Sequence, residues 1–368
     1  MLYNINQLGS LDGLEAWDRS GEATGRFGQA TAVTGHYALA TDMTAASIPN
    51  NWPITGALTN SGEVVDIVYD YYNDRVTIDT SAAFSGVMTG LGHSIDLGTS
   101  MPLTTVFGVV GINTGTVRDI GVTGFASLQT FGGGVVGINE GVVANAYSAA
   151  DLVGGAWTGG LVGYNKGVVT GSIATGDLNG FHLTGGLVGG NAGYVGHSKA
   201  NGSVLGAGVA GGLVGRNLGH ITDSAATGTV KTHATVFDSR AGGLVGHNGT
   251  FFGSAVTPTI SNSYATGAVE GRTYAGGLIG QDANGRTVNS HATGDVVLTG
   301  ESGRSVGGLI GHGEGVQLVD VHATGAVRAA QIAPGGNVVA FSGAGGLAAF
   351  PCRHEKVGYL PWTLLDRA

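Results

Sequence analysis

Apolar positions along this chain come in short runs of three to five residues, mostly Val, Leu and Ile, each bounded by Gly or Asn. Runs that short, β-branched and closed by turn residues read as strands, not helices. They recur on a clock. The segment Gly-(Leu/Val)-(Val/Ile)-Gly, or a worn copy of it, is anchored at Gly108, Gly134, Gly160, Gly186, Gly212, Gly243, Gly277, Gly308 and Gly346. Subtracting neighbours gives spacings of 26, 26, 26, 26, 31, 34, 31 and 38 residues. Each copy is followed by an Asn-x-Gly turn and then by a segment close to Asn-Ser-Tyr-Ala-Thr-Gly-x-Val, as at Asn262–Val269 and Asn289–Val296. Such a period means stacked units that complete each other's core.

Comparing the copies predicts which side chains face in, because side chains alternate across a strand. Ala174, Ala200, Ala226, Ala265, Ala292 and Ala323 hold one interior position, and Leu161, Leu187, Leu213, Leu244, Leu278 and Leu309 hold another. The varied positions are expected outside: Tyr147, Ile173, Lys199, Ala225, Tyr264, His291 and His322 in one column. Ile112, Ile138, Tyr164, Gly190, Arg216, His247, Gln281 and His312 form the other. Asn113, Asn139, Asn165, Asn191, Asn217 and Asn248 predict an amide ladder at one corner. The fold expected is all-β, a parallel β-helix (β-solenoid) of about nine to eleven coils with an N-terminal β cap. At about 4.8 Å per coil, the eight intervals between anchors make a rod on the order of 40 Å long. Residues 1–105 lie off the clock and read as the capping region with the first irregular coils. Residues 106–347 are the repeat β-helix, and 348–368 an atypical tail that either plugs the last coil or leaves an edge open to end-to-end self-association.

Composition narrows the partners. Charged residues are 11% of the chain, Gly supplies 71 of 368 residues, and the formal net charge is −9. Sparse charge of that sign argues against nucleic acid. With no run of about 18 apolar residues, no membrane insertion is expected. Cys352 stands alone, so no internal disulfide framework is expected. The start, Tyr3-Asn-Ile-Asn-Gln7, lacks a basic and apolar leader, which reads as an internal protein or as a piece of a longer exported one.

Candidate chemistry is thin. Asp151 and Asp177 share a column in adjacent coils, as the carboxylates of β-helical polysaccharide enzymes do, but the next positions are Ser203 and Thr229. His291 and His322 are expected one coil apart, short of the three or four ligands a zinc site needs. Thr175, Thr227, Thr266, Thr293 and Thr324 form a single outward file, broken at Ala149 and Asn201, as strand surfaces do. No cofactor or metal is expected. The binding candidates are aromatic: Tyr147, Trp157, Tyr164, Tyr264, Tyr274, Phe251 and Phe252 are expected on the surface, where rings beside hydroxyls can stack on sugars. Longer spacings mark insertions at 231–240, 249–259, 297–305 and 329–341, and insertions in repeat proteins become loops on the rod.

The repeat Gly-Gly-Leu-Val-Gly-x-Asn-x-Gly-x-Ile-x-Asn-Ser-x-Ala-Thr-Gly resembles the GLUG repeat of large bacterial surface proteins. These include filamentous haemagglutinin-like adhesins and some immunoglobulin A peptidases. Segments 35–43 and 84–97 resemble the stretch that precedes such repeats in those adhesins. The resemblance covers roughly residues 35–347 and implies a non-enzymatic, secreted or cell-surface adhesin segment. On that reading, a rigid rod presents loops to a host-cell or glycan ligand. The peptidase members imply a His-Glu-x-x-His zinc helix, and the nearest match, His354-Glu355, has no second histidine. A carbohydrate-active β-helix enzyme and a pure spacer rod are the alternatives.

Overall fold

The computed structural model describes residues 36–39, 42–44, 67–70, 75–78, 83–99, 106–128, 130–233, 238–249, 257–299, 305–329 and 337–338. They form a parallel β-helix. One coil shows the plan. Trp157–Gly159 belongs to sheet I, Val162–Asn165 to sheet II and Val168–Thr170 to sheet III. Ile173–Ala174 and Leu178–Gly180 both belong to sheet IV. Among the described residues these sheets hold nine, eight, ten and sixteen strands. Neighbouring coils pair in parallel and in register, Val162 with Val188 and Val188 with Val214, Ala174 with Ala200 and Ala200 with Ala226. The coils begin before the regular clock. His36–Ala38 pairs in parallel with Val87–Thr89, which pairs with Thr116–Arg118. An antiparallel hairpin, Ile67–Asp70 with Arg75–Ile78, lies between these two rungs in sequence.

The interior columns are as the repeats predict. The leucine column and the alanine column are buried, and with Val162, Val188, Val214, Val245, Ile279 and Ile310 they build one continuous core.

Sheet II departs from expectation. Ile112 and Ile138 are 0% exposed, Tyr164 4%, Arg216 1% and His247 1%. The column expected outside is buried because sheets I and II fold against each other, so these strands are covered on both faces. Their facing columns make a second, smaller core of Ile112, Phe131, Ile138, Trp157, Tyr164, Leu183 and Val209. Phe131 stacks on Trp157 at 5.6 Å, and Trp157 meets Tyr164 edge-on at 5.1 Å. Alternation assigns an inside and an outside only where the second face meets water.

This re-entrant corner also explains the glycines. A Cβ on Gly159 would sit 2.0 Å from the Val162 carbonyl oxygen and 2.6 Å from the Gly189 nitrogen, and one on Gly163 would sit 2.7 Å from the Gly132 nitrogen. Neither residue has a left-handed φ. Glycine is required there because the backbones of sheets I and II touch.

The left-handed positions lie elsewhere, at the corner from sheet III to sheet IV. Asp119, Asn145, Gly171, His197, Asp223, Asn262, Asn289 and Asp320 all have φ between 47° and 61°. Five of them, Gly171, His197, Asp223, Asn262 and Asn289, are followed by a buried serine. The Ser172, Ser198, Ser224 and Ser263 amides donate to the Oγ of the serine one coil on, at 3.1–3.2 Å, and each Oγ donates to a carbonyl two residues back. At the corner between sheets II and III the predicted asparagine ladder is present. Asn113, Asn139, Asn165, Asn191 and Asn217 each donate Nδ2 to the Oδ1 of the next at 2.8–2.9 Å.

Candidate binding surface

The aromatic candidates part company once the coils are wound. Trp157, Tyr164 and Tyr274 are 6%, 4% and 7% exposed and belong to the seam between sheets I and II, so they offer no ring to a ligand. Alternation places such rings outside only on a sheet with one wet face, and sheets I and II are covered on both. Phe251 and Phe252 lie outside the described residues. Tyr264 is half-buried on sheet IV with its ring stacked on His291 at 5.3 Å, and His291 stacks on His322 at 4.9 Å. Stacking along the rod axis turns these ring faces toward one another, so this column presents edges. Tyr147 remains. It lies across Gly121 of the preceding coil, where a Cβ would fall 2.0 Å from its Cζ, and is 39% exposed. Phe181, at the turn leaving sheet IV, is 70% exposed, and Ile173 and Val153 stand on the same sheet at 41% and 38%.

The paired carboxylates have a structural use. Asp151 Oδ1 accepts the Asp177 amide at 2.8 Å, and Asp177 Oδ1 accepts the Ser203 amide at 2.8 Å. Asp295 repeats the arrangement with the Ala326 amide at 2.8 Å. These amides fall at the bend between the two strands of sheet IV, outside the sheet ladder, and the carboxylate one coil back satisfies them. The two acids stack as the repeats predicted, each committed to the main chain of the next coil.

The histidine pair is also in place, with rings parallel to within 3°. Parallel rings 4.9 Å apart do not converge their lone pairs on one ion. Among the described residues no three His, Cys, Asp or Glu side chains are grouped to hold a metal. The His291 imidazole is held below its usual range, first by burial and then by the neighbouring His322 charge.

The seam changes character along the rod. Its early rungs are aromatic and aliphatic, and its later ones polar. Gln281 Oε1 accepts from Arg240 Nε and lies 3.2 Å from His247 Nδ1, and Arg240 stands 5.9 Å over the Tyr274 ring. Tyr274 in turn meets His312 at 4.9 Å, and Arg216 Nε donates to the Gly249 carbonyl at 3.2 Å. His247 and His312, expected as surface neighbours, are instead separated by Gln281 within this seam.

Three of the four insertions fall at one edge. In the compact coils sheet IV returns to sheet I within two residues, as between Gly180 and Leu183. The connections from Thr232 to Arg240, Leu298 to Ser305 and Ala329 to Asn337 are longer, and the strands they join place all three at that same corner. The fourth, from Asn248 to Thr259, leaves between sheets II and III. Strand ends alone place these departures, which the sequence could mark only as gaps in the period.

Comparison with known proteins agrees with the repeat. Residues 206–231 and 238–270 match the GLUG motif, a non-catalytic repeat typical of extracellular and surface proteins. No curated protein sequence matches the chain. A crystal structure of a Bacteroides ovatus protein, provisionally assigned as an immunoglobulin A1 protease, is similar at 16% identity and a TM-score of 0.38. The match covers 87% of this chain and 79% of that one. Among the described residues no helix is long and apolar enough to cross a membrane.

Proposed function

We propose that this chain is a surface-displayed, non-enzymatic rod that binds a host-cell or glycan ligand along the edge where sheet IV returns to sheet I. The observation that supports it is the division of labour along the coil. Most side chains with chemical potential on the rod body are engaged in holding coil to coil: asparagines and serines in ladders, aspartates on backbone amides, arginines and histidines in the seam. Length variation is concentrated instead at one corner: three long connections join sheet IV to sheet I, the same corner that carries the exposed Phe181 on an earlier coil. Tyr147, over its glycine, is the ring of the aromatic set that is best placed for a sugar face. Asp151 and Asp177 favour this reading over a polysaccharide lyase or hydrolase, because each already accepts a main-chain hydrogen bond.

The test is binding of the purified chain to a glycan array and to whole cells, with a turnover assay on every sugar that scores. Saturable binding without product, lost on shortening the 233–239 and 299–304 connections, is the expected result. Product release would replace this reading with the enzyme. Absence of both would leave the rod as a spacer.

A further inference from the structure

The asparagine ladder of sheet II ends in a residue of different chemistry. Asn248 donates not to another asparagine but to Asp282 Oδ1, at 3.1 Å, and the Gly285 amide donates to the same oxygen at 2.9 Å. Asp282 is 0% exposed, and its Oδ2 is buried with no hydrogen-bond partner. In the earlier rungs the atom in that place is an amide nitrogen aimed at main-chain carbonyls. Asn139 Nδ2 reaches the Gly141 and Val168 oxygens at 3.2 Å, and Asn165 Nδ2 the Gly167 and Tyr194 oxygens at 3.2 Å. The next rung opposite Asp282 is Gly313, which has no side chain to continue the ladder.

The corner changes length at the same coil. Gly115, Gly193 and Gly219 donate to an asparagine two residues back, whereas Gly285 donates to a carboxylate three residues back, and Asn284 takes a left-handed φ of 62°. Asp282 therefore sits where two styles of coil are joined.

We propose that Asp282 is a protonation-controlled latch between the coils before and after it. With a proton on Oδ2 the side chain is a neutral donor and acceptor, an isostere of the asparagines it follows. Without the proton it is a buried charge beside a rung that offers it nothing, and the joint loosens.

Among the described residues no counter-charge lies on its own face. On the preceding strand the neighbour is Asn248, with His247 turned to the seam. On the following strand it is Gly313, with His312 on the seam side and Glu314 exposed; beyond the corner, Arg286 is exposed too. Burial pushes the carboxyl up to about 7, against the opposing pull of the Asn248 and Gly285 hydrogen bonds. A folded value above the unfolded one means that the stability is fully present below about pH 4 and is lost as pH rises through about 7. Mild acid closes the latch and neutral to alkaline pH releases it.

The experiment follows the thermal midpoint of the full chain from pH 5 to pH 8 in wild type, Asp282→Asn and Asp282→Ala. The gap between wild type and Asp282→Asn should be small at pH 5 and widen by pH 8, while Asp282→Ala, which deprives Asn248 and Gly285 of their acceptor, stays low throughout. A gap between wild type and Asp282→Asn that does not change with pH overturns the proposal, as does a wild type that equals Asp282→Asn at pH 8. Should Asp282→Asn not fold, carboxyl carbon NMR of wild type decides, a midpoint near 7 supporting the latch and one near 4 refuting it. Amide exchange, corrected for its intrinsic pH dependence, locates the event. Excess opening at pH 8 confined to the coils from Ile279 onward supports a joint, and opening spread evenly over all coils excludes it.

Discussion

A single amide carries several contacts in this fold, and Asn165 shows how many. Its Oδ1 accepts from Asn139 at 2.8 Å, and its Nδ2 donates to Asn191 at 2.8 Å and to two carbonyls at 3.2 Å, all with the side chain fully buried. Removing it leaves donors and acceptors in three consecutive coils unmatched. Each buried polar group so orphaned costs about 1–3 kcal/mol, so Asn165→Ala should lower stability by several kcal/mol in urea unfolding. Asn165→Asp makes a sharper comparison. An ionised carboxylate would face Asn191 Oδ1 with an acceptor where a donor belongs. Burial raises such a group's folded pKa, so its destabilisation should be large at pH 8 and shrink toward pH 5, where the protonated form donates again. A pH-independent loss would show that the ladder does not depend on the direction of its donors.

At the scale of strands and sheets, the seam between sheets I and II is the feature that alternation could not reveal. Trp157 fills the space over Gly190, where a Cβ would fall 2.3 Å from its Cζ3, and touches Phe131 and Tyr164 as well. Truncating it should open a cavity shared by three coils, so Trp157→Ala is expected to cost about 3–5 kcal/mol, as large aromatic deletions in tight cores do. A surface aromatic would cost almost nothing, so the same variant separates the two placements. The rest of the coil was legible from the residues because each repeated type does one job. Leucine and alanine columns could be read as interior, Asn-x-Gly as a corner ladder, and paired aspartates as neighbours. The serine two residues before Ala-Thr, present at 172, 224, 263 and 290, carries no readable role in the sequence, since its partner is a main-chain amide 26 residues or more away. Ring exposure was misjudged for one physical reason, namely that a strand packed between two layers shows no polar face to betray its burial. Sheet IV carries a titration of its own. His291 is held low by burial and by His322, so this contact is secure above the ordinary histidine range and weakens as pH falls through about 6.5. Replacing His322 with Asn should reduce that acid sensitivity, read as amide exchange of the 289–293 segment at pH 5.

The whole molecule is a one-dimensional stack in which each coil touches chiefly its neighbours, with the outermost rungs of one end far in space from those of the other. Its cohesion comes from apolar columns and from neutral amide and hydroxyl ladders that join successive coils, with exposed pairs such as Lys231–Glu270 adding little. Such a stack unfolds as one unit only while its weakest interface holds. Gly211 lies in the middle, and a Cβ there would meet the Val214 oxygen at 1.9 Å and the Gly246 nitrogen at 2.6 Å. The obstruction is backbone on both sides, one contact within its own coil and one to the next, so no side-chain adjustment relieves it. Gly211→Val should therefore weaken one inter-coil interface without touching the coils around Ile138 or Leu309. If nearest-neighbour stacking governs the fold, the urea transition of this variant splits in two, with Trp157 fluorescence, in a background where Trp17, Trp52 and Trp362 are replaced by Phe, reporting the N-terminal block. Exchange of amides beyond Leu244 would then report the C-terminal one. A single transition, shifted as a whole, would mean that the ladders and the two-sided seam couple the coils more tightly than neighbour contacts alone, and that the rod is one cooperative body.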